Sequence, residues 1–190
     1  LKHIVGELAA SAGSSGFEHP LMATRPTVRN IRLVVIGGSR GLCGGFNTNL
    51  NKQVEATIRD LSARHPGAVI STSVLGRKPA EYYRKAGRAY VDAEEGLPED
   101  PSLWPLDELC LALEQAFLKE QIDEVYVVYT RFRSAISSQA VTERLLPMEN
   151  DLVQESTVNI DTTIGLIFEP SPEDVYAAVV PRILRSLLRQ

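Results

Sequence analysis

Apolar residues in the first half of the chain follow two distinct patterns. The run Ile31–Ile36 is mostly apolar and β-branched with no period, which is typical of a strand buried on both faces of a sheet. The next segment has helical spacing and predicts a helix ending near His65-Pro66-Gly67. Its apolar face consists of Phe46, Leu50, Val54, Ile58 and Leu61. A second strand is predicted over Val69–Leu75.

The alternation of strands and helices continues along the chain. The pattern predicts helices over Lys78–Lys85 and Leu106–Lys119, strands over Glu124–Tyr129 and Ala140–Leu146, and a short edge strand at 163–172. Strands that alternate with helices indicate an α/β fold with a mostly parallel sheet and helices on both faces.

Both ends of the chain carry helical patterns of their own. Apolar spacing over Leu1–Leu8 predicts the last turns of a helix. Over Val175–Leu188, apolar pairs recur every four residues, and Pro181 predicts a kink. This narrow stripe fits a seam against another helix, and an ordinary helix lying on the sheet fits it equally well. The opposite side carries Arg182, Arg185 and Arg189.

Composition narrows the classes of function. The 190 residues are 44% hydrophobic and 23% charged, with a formal net charge of −4. This acidic balance disfavours nucleic acid as a partner, and no apolar run approaches the roughly 20 residues that span a bilayer. Any membrane association is therefore expected through a partner, without direct insertion. Cys43 and Cys110, far apart in the chain, favour a reducing compartment. Because the chain begins with Leu1 and ends within a helical pattern, we expect it to be the core of a longer polypeptide.

The stretch LVVIGGSRGLCGGFNTNL, from Leu33 to Leu50, places a glycine-rich turn between a strand and a helix. Phosphate-binding loops share this layout, but the dinucleotide motif G-x-G-x-x-G requires glycines at fixed offsets. Starting from Gly37, Gly38 or Gly41, the position of its second glycine holds Ser39, Arg40 or Cys43. No lysine follows these glycines as in a P-loop, and Arg77 stands where an acid would hold a ribose. The stretch is predicted not to bind a nucleotide.

The usual catalytic and metal-binding arrangements are not found in the sequence. The three histidines lack metal-ligand spacing. Cys43, near Arg40 and a helix start, could be reactive, but a buried structural cysteine is the commoner outcome. The eight acidic residues between Arg88 and Lys119 form a negative surface for solvation or docking. No catalytic, cofactor-binding or metal-binding residue is predicted.

Several blocks of the chain resemble one protein family. SRGLCGGFNTNL is similar to the signature near the first strand of the gamma subunit of F-type ATP synthases, the central rotor stalk. HPLMATRP resembles the segment before that strand, and VYVVYTRFRSAISSQAVTERLLPM (125–148) resembles a later strand of the family. FEPSPEDVYAAVVPRILRSLLRQ (168–190) looks like the start of the long C-terminal helix. The family usually has an acidic residue where Ser39 stands, so any role of that carboxylate does not transfer.

The resemblance implies a Rossmann-like three-layer α/β domain flanked by remnants of an antiparallel helical coiled coil. Residues 1–9 would end the N-terminal stalk helix, 28–170 would form the central domain, and 173–190 would begin the C-terminal stalk helix. The implied function is that of a non-catalytic rotor subunit of the proton-translocating ATP synthase, which couples c-ring rotation to ATP synthesis or hydrolysis in the alpha/beta head. The implied partners are the alpha, beta and epsilon subunits and the c-ring. The implied location is peripheral, on the cytoplasmic face of the bacterial plasma membrane.

The resemblance also singles out residues in and beyond the glycine loop. Partner contacts are expected at Arg40, Gly41, Leu42, Asn47, Arg182 and Arg185. A tight structural turn is expected from Gly38, Cys43, Gly44 and Gly45. The basic run Arg77–Arg88 and the acidic stretch 92–108 are weaker interface candidates. Two alternatives stay open at this point, a Rossmann-type nucleotide-binding oxidoreductase and a free-standing interaction module.

Overall fold

The computed structural model describes residues 20–39, 45–98, 103–134 and 137–148. A 3₁₀ turn, Pro20–Met22, precedes the first strand. The strands are β1 (Asn30–Ile36), β2 (Val69–Leu75), β3 (Asp92–Glu94), β4 (Glu124–Ser134) and β5 (Ser137–Leu146). The helices are α1 (Phe46–Arg64), α2 (Arg77–Lys85) and α3 (Leu106–Leu118).

These five strands form one sheet in the order β3–β2–β1–β4–β5. β1 lies at the centre and is parallel to β2 on one side and to β4 on the other. β3 is parallel to β2, whereas β5 is antiparallel to β4. Each parallel connection requires a crossover, and α1, α2 and α3 supply one each. The predicted α/β fold with a mostly parallel sheet is confirmed.

The two faces of the sheet carry separate hydrophobic cores. On one face, Leu33 of β1 packs with Leu50 of α1 and Tyr83 of α2. On the other face, Val34 packs with Phe117 of α3 and with the 3₁₀ turn. Neighbouring β1 residues are thus buried on opposite faces, which explains why the run has no polar alternation. The three-layer arrangement of helices, sheet and helix is confirmed.

Helix α1 forms because its apolar residues share one face. Leu50, Val54 and Leu61 on that face are all fully buried against the sheet. At its end the amide of His65 donates to the carbonyl oxygen of Leu61 (2.9 Å). Gly67 then adopts a φ of +86°, which lets the chain turn toward β2. The predicted end of this helix near His65-Pro66-Gly67 is confirmed.

Three strands differ from the sequence prediction. β3, Asp92–Glu94, lies in the acidic connection, where no strand was predicted because three residues are too few to give a pattern. β4 continues to Ser134 and β5 begins at Ser137, since antiparallel pairing extends past their apolar parts to the Ser134–Ser137 pair. Pairing with a neighbouring strand, rather than the apolar pattern, sets these bounds.

Several predictions concern residues outside the described ranges. The terminal helices at 1–9 and 173–190, the edge strand at 163–172 and the outer limit of the 28–170 domain stay predictions. Within the described ranges, no helix is both long and apolar enough to cross a bilayer. The same part of the chain contains no group of three or more His, Cys, Asp or Glu side chains arranged to hold a metal ion.

Candidate functional site

The predicted contact loop follows β1, and the structure describes both of its flanks. Gly38 and Ser39 lie on the β1 side, while Gly45 and Asn47 lie at the start of α1. The other site residues predicted from the sequence fall outside the described residues and stay predictions. They are Arg40, Gly41, Leu42, Cys43, Gly44, Arg182 and Arg185.

Gly37, directly after β1, sits where a strand and two helices meet. Its amide donates to the carbonyl oxygen of Leu75 at the end of β2 (2.9 Å). A Cβ atom at Gly37 would lie 2.7 Å from Cδ2 of Leu50 in α1 and 2.9 Å from Cγ of Pro79 in α2. Only glycine therefore allows α1, α2 and β2 to close around this backbone without displacement.

Gly76, directly after β2, makes the closest backbone approach at this end of the sheet. Its φ is +105°, in the region that favours glycine, and a Cβ atom there would lie 2.1 Å from the carbonyl oxygen of Gly37. The Gly76 amide donates to the carbonyl oxygen of Glu94 at the end of β3 (2.9 Å). Hydrogen bonds beyond the strand ends thus join β1 to β2 and β2 to β3.

The first turn of α2 is attached to the segment after β1. The Lys78 amide donates to the carbonyl oxygen of Gly38 (3.1 Å), and the Arg77 amide donates more weakly to Oγ of Ser39 (3.4 Å). The first amides of a helix have no acceptor within the helix, and these two bonds supply one to each amide. We use the name strand-end junction for the residues that make these contacts, Gly37, Gly38, Ser39, Leu75, Gly76, Arg77 and Lys78.

Asn47 lies in the first turn of α1 and is partly buried. Among the described residues, its buried side-chain oxygen Oδ1 has no hydrogen-bond donor, and the same holds for Oδ1 of Asn51, one turn further on. Within the same part of the chain, no side chain caps this helix start at Gly45. The predicted partner contact of Asn47 stays a prediction.

Basic residues of α2 and of the segment after it form ion pairs with acidic residues of the same chain. The pairs are Arg77–Glu81, Lys78–Glu81, Arg84–Glu95 and Arg88–Glu55. Hydrogen bonding raises the pKa of Arg84 above its ordinary value and lowers the pKa of Glu95. Exposed pairs of this kind add little stability, but they reduce the positive charge offered to a partner. An interface role for the run Arg77–Arg88 and the stretch 92–108 stays a prediction.

A second polar cluster lies at the opposite end of the sheet and joins α1 to β4. The Tyr126 hydroxyl donates to Oε2 of buried Glu124 (2.9 Å), and Nε2 of His65 lies 3.4 Å from the same oxygen. The Arg64 guanidinium lies over the Tyr126 ring, 5.7 Å from its centroid. Burial raises the pKa of the Tyr126 hydroxyl. Each of these polar groups contacts another group of the chain. We therefore interpret the cluster as a structural link between α1 and β4.

Sequence reasoning missed Gly37 and Gly76 as key residues of the site. The glycines chosen for the turn were those that match the family signature, whereas Gly37 and Gly76, which follow two separate strands, leave no room for a side chain between them. One signal could have found them, because a glycine directly follows each of the first two predicted strands. In a parallel sheet those two positions meet at one edge.

Comparisons with known proteins agree with this fold. A family model described as ATP synthase matches residues 1–190. The ATP synthase gamma chain of Brevibacillus brevis is 33% identical over 189 residues, covering 99% of this chain and 62% of the relative. The ATP synthase gamma chain of Thermosynechococcus vestitus is 36% identical, covering 89% of this chain and 60% of the relative. The chain therefore spans about three fifths of the length of these curated relatives.

A solved structure supports the fold independently of sequence. The chain is similar to one from the central stalk and c-ring structure of the Tetrahymena thermophila mitochondrial ATP synthase, with a TM-score of 0.55. The two are 15% identical, and the match covers 99% of this chain and 87% of the other. At this identity the likeness supports the fold alone.

Fold and site together define a doubly wound α/β domain in which the chain's own backbone closes the carboxyl end of the β1–β2 pair. The family match extends over the whole chain, and its curated relatives are gamma chains. The chain belongs to the ATP synthase gamma-chain family. The family resemblance carried by SRGLCGGFNTNL and the later blocks is confirmed.

Proposed function

We propose that this chain is the gamma subunit, or central stalk, of an F-type proton-translocating ATP synthase. The observation that carries the proposal is the family match over residues 1–190. In this role the chain is a non-catalytic rotor element, and ATP chemistry takes place in the alpha/beta head. No finding favours the oxidoreductase alternative.

A rotor must transmit torque, and the packing of this domain suits that task. Leu33 and Val34 of β1 are fully buried on opposite faces, and the sheet packs between α1 and α2 on one side and α3 on the other. Close-packed interiors are stiff and transmit strain. The domain can therefore turn as one body between the c-ring and the head.

The proposed domain layout has residues 1–9 and 173–190 as parts of two stalk helices on either side of the central domain. One contact supports it. The Met148 amide, at the end of the described domain, donates to the carbonyl oxygen of Leu21 at its beginning (2.9 Å). The first and last described parts of the domain thus lie side by side, an arrangement compatible with two adjacent stalk helices.

The proposed partners are the alpha, beta and epsilon subunits and the c-ring. Arg40, Gly41, Leu42 and Asn47 would contact the head, and Arg182 and Arg185 would lie on the stalk. The proposed location is the cytoplasmic face of a bacterial plasma membrane, where the chain is peripheral. Large charge-complementary surfaces would keep these contacts from slipping under load.

The test is binding of a purified epsilon subunit from the same source. We expect a one-to-one complex of about micromolar affinity or tighter with the 190-residue chain, measured by calorimetry. A nucleotide-binding dehydrogenase domain of similar size and net charge serves as the matched control and should not bind. The absence of both epsilon binding and assembly with alpha and beta subunits would contradict the proposed function.

A further inference from the structure

The strand-end junction connects the ends of β1, β2 and β3 with the first turn of α2. Gly37 and Gly76 extend the pairing of β1 with β2 and of β2 with β3 by one hydrogen bond each, both 2.9 Å long. Lys78 and Arg77 then attach the first turn of α2 to Gly38 and Ser39. A displacement of the segment after β1 must therefore move α2 and two further strands.

We propose that the strand-end junction is a force-transmitting base for the segment Gly37–Ser39, and that Gly76 and Ser39 are positioning residues that hold this segment against α2. The proposal rests on the proposed function, since the load is the force that a neighbouring subunit exerts on the chain in a rotor. It adds that force arriving at this segment passes into α2 and the β2–β3 edge.

The close fit of two backbones explains why the base is stiff. Gly76 has no side chain, and its α-carbon lies against the carbonyl of Gly37. Gly37 in turn is held between Leu50 of α1 and Pro79 of α2. Because neighbouring atoms lie against the backbone at both glycines, a shift of the segment toward α1, α2 or Gly76 would meet close-packed atoms.

The test compares three glycine-to-alanine variants of the chain. Gly76→Ala combines the strain of a positive φ with a steric clash, whereas Gly67→Ala and Gly87→Ala carry the strain alone. Gly67 and Gly87 have φ values of +86° and +62°, and a Cβ atom at either would meet nothing within 4 Å. The difference between Gly76→Ala and these matched controls therefore isolates the contact with Gly37.

The first measurement is amide hydrogen exchange of the free chain by NMR. In Gly76→Ala the Gly37 and Lys78 amides should exchange at least about tenfold faster, while the Val69 and Asp123 amides at the opposite edge keep their protection. Neither control should change the Gly37 or Lys78 amides. Unchanged exchange at both amides in Gly76→Ala would overturn the proposal.

The second measurement is made in the assembled ATP synthase. At a temperature well below the unfolding midpoint of both variants, Gly76→Ala should lose proton pumping per ATP hydrolysed, while Gly87→Ala should keep it. Because both variants are then fully folded, lost stability alone would not produce this difference. Equal pumping by both variants would overturn the force-transmitting role. A wild-type chain that fails to assemble at all would overturn the proposed function instead, and the exchange result would be unaffected.

Ser39→Ala keeps the proposal testable if Gly76→Ala does not fold. Removal of its Oγ should speed exchange of the Arg77 amide by about threefold or more, because a single hydrogen bond is lost. Ser39→Thr keeps the hydroxyl and should restore the slow rate. Equal exchange rates in Ser39→Ala and the unmodified chain would count against Ser39 as a positioning residue.

Discussion

At the residue scale, two glycines that follow neighbouring strands, Gly37 and Gly76, leave no room for a side chain between them. Gly76 combines a φ of +105° with a carbonyl oxygen 2.1 Å from its missing Cβ. Any other residue there would bring both backbone strain and a displaced neighbour. Two amides of α2 then bind the segment beside this contact, Lys78 to Gly38 and Arg77 to Ser39. The position of Ser39 is thus set by a helix start.

Ser39 therefore offers a site for a stabilising substitution. The N-cap residue of α2, Gly76, has no side chain to cap the helix, and the first turn contains no acidic residue and begins with Arg77 and Lys78. In Ser39→Asp a carboxylate would accept the same hydrogen bond and face the positive end of the helix. We expect the free energy of unfolding to rise by about 0.5 kcal/mol in urea titrations at low salt, and the gain to shrink as salt is added.

Ser39→Asn is the matched control for this substitution. Asparagine has the shape of aspartate without its charge, so its effect should be smaller and independent of salt. Equal stabilisation by the two variants would show that charge has no part in the effect.

The sequence identified the glycine-rich region but not the residues that matter most in it. Glycines were assigned by their match to the family signature around SRGLCGGFNTNL, and Gly76 lies outside that block. Its contact depends on the pairing of Ile36 with Leu75, which brings the residues after both strands together. That pairing is a tertiary property, and local pattern alone does not specify it.

At the element scale, the helices and strands with a strong apolar periodicity match their predicted bounds best. The predicted strand Val69–Leu75 and the predicted helix starting at Phe46 have the observed bounds. β3 was missed, because its three residues are held by pairing with Ser73–Leu75 and two of them are exposed acids. β5 was placed too late, since its first residues are polar.

A hydroxyl contact joins α1 to β5. Oγ1 of Thr57 lies 2.6 Å from Oγ1 of Thr142, and Gln53 donates to the same Thr142 oxygen at 2.9 Å. The isosteric substitutions Thr57→Val and Thr142→Val should each lower the free energy of unfolding by about 1 kcal/mol, because a partly buried hydrogen-bond partner is lost. Urea unfolding of both single variants and the double variant measures the coupling, which we expect at about 0.5–1.5 kcal/mol.

Thr48→Val provides the control for this cycle. Thr48 is exposed in the first turn of α1, so its hydroxyl should be replaceable with little change in stability. Additive effects of Thr57→Val and Thr142→Val would mean that the short contact contributes no energy of its own.

At the scale of the whole molecule, the order of the strands reverses at β1, because β2 and β3 lie on one side of it and β4 on the other. Doubly wound folds commonly bind nucleotides at such a reversal. In this chain the motif glycines are missing, and Arg77 follows β2 in place of a ribose-binding acid. The chain's own backbone fills the carboxyl end of the β1–β2 pair. The fold class could be predicted from the alternation of elements, whereas this closure could not.

We therefore expect the chain not to bind NAD(H), NADP(H), ATP or ADP. Calorimetry of each ligand against the isolated chain should give no heat beyond dilution at about 100 μM ligand, well above the range of specific cofactor sites. An authentic dinucleotide-binding domain under the same conditions should give a clear isotherm. A micromolar binding event with this chain would restore the oxidoreductase alternative.

The central place of β1 in the sheet has a consequence for biosynthesis. Of the described strands, β1 is the first to leave the ribosome, but its partner β4 is made only after β2, β3, α1, α2 and α3. Until then one edge of its apolar run has no hydrogen-bonding partner, a state in which nascent chains associate with one another. β4 and β5 are neighbours in sequence and can pair locally as soon as they emerge. The most deeply buried strand of the domain is thus the one left unprotected longest during translation.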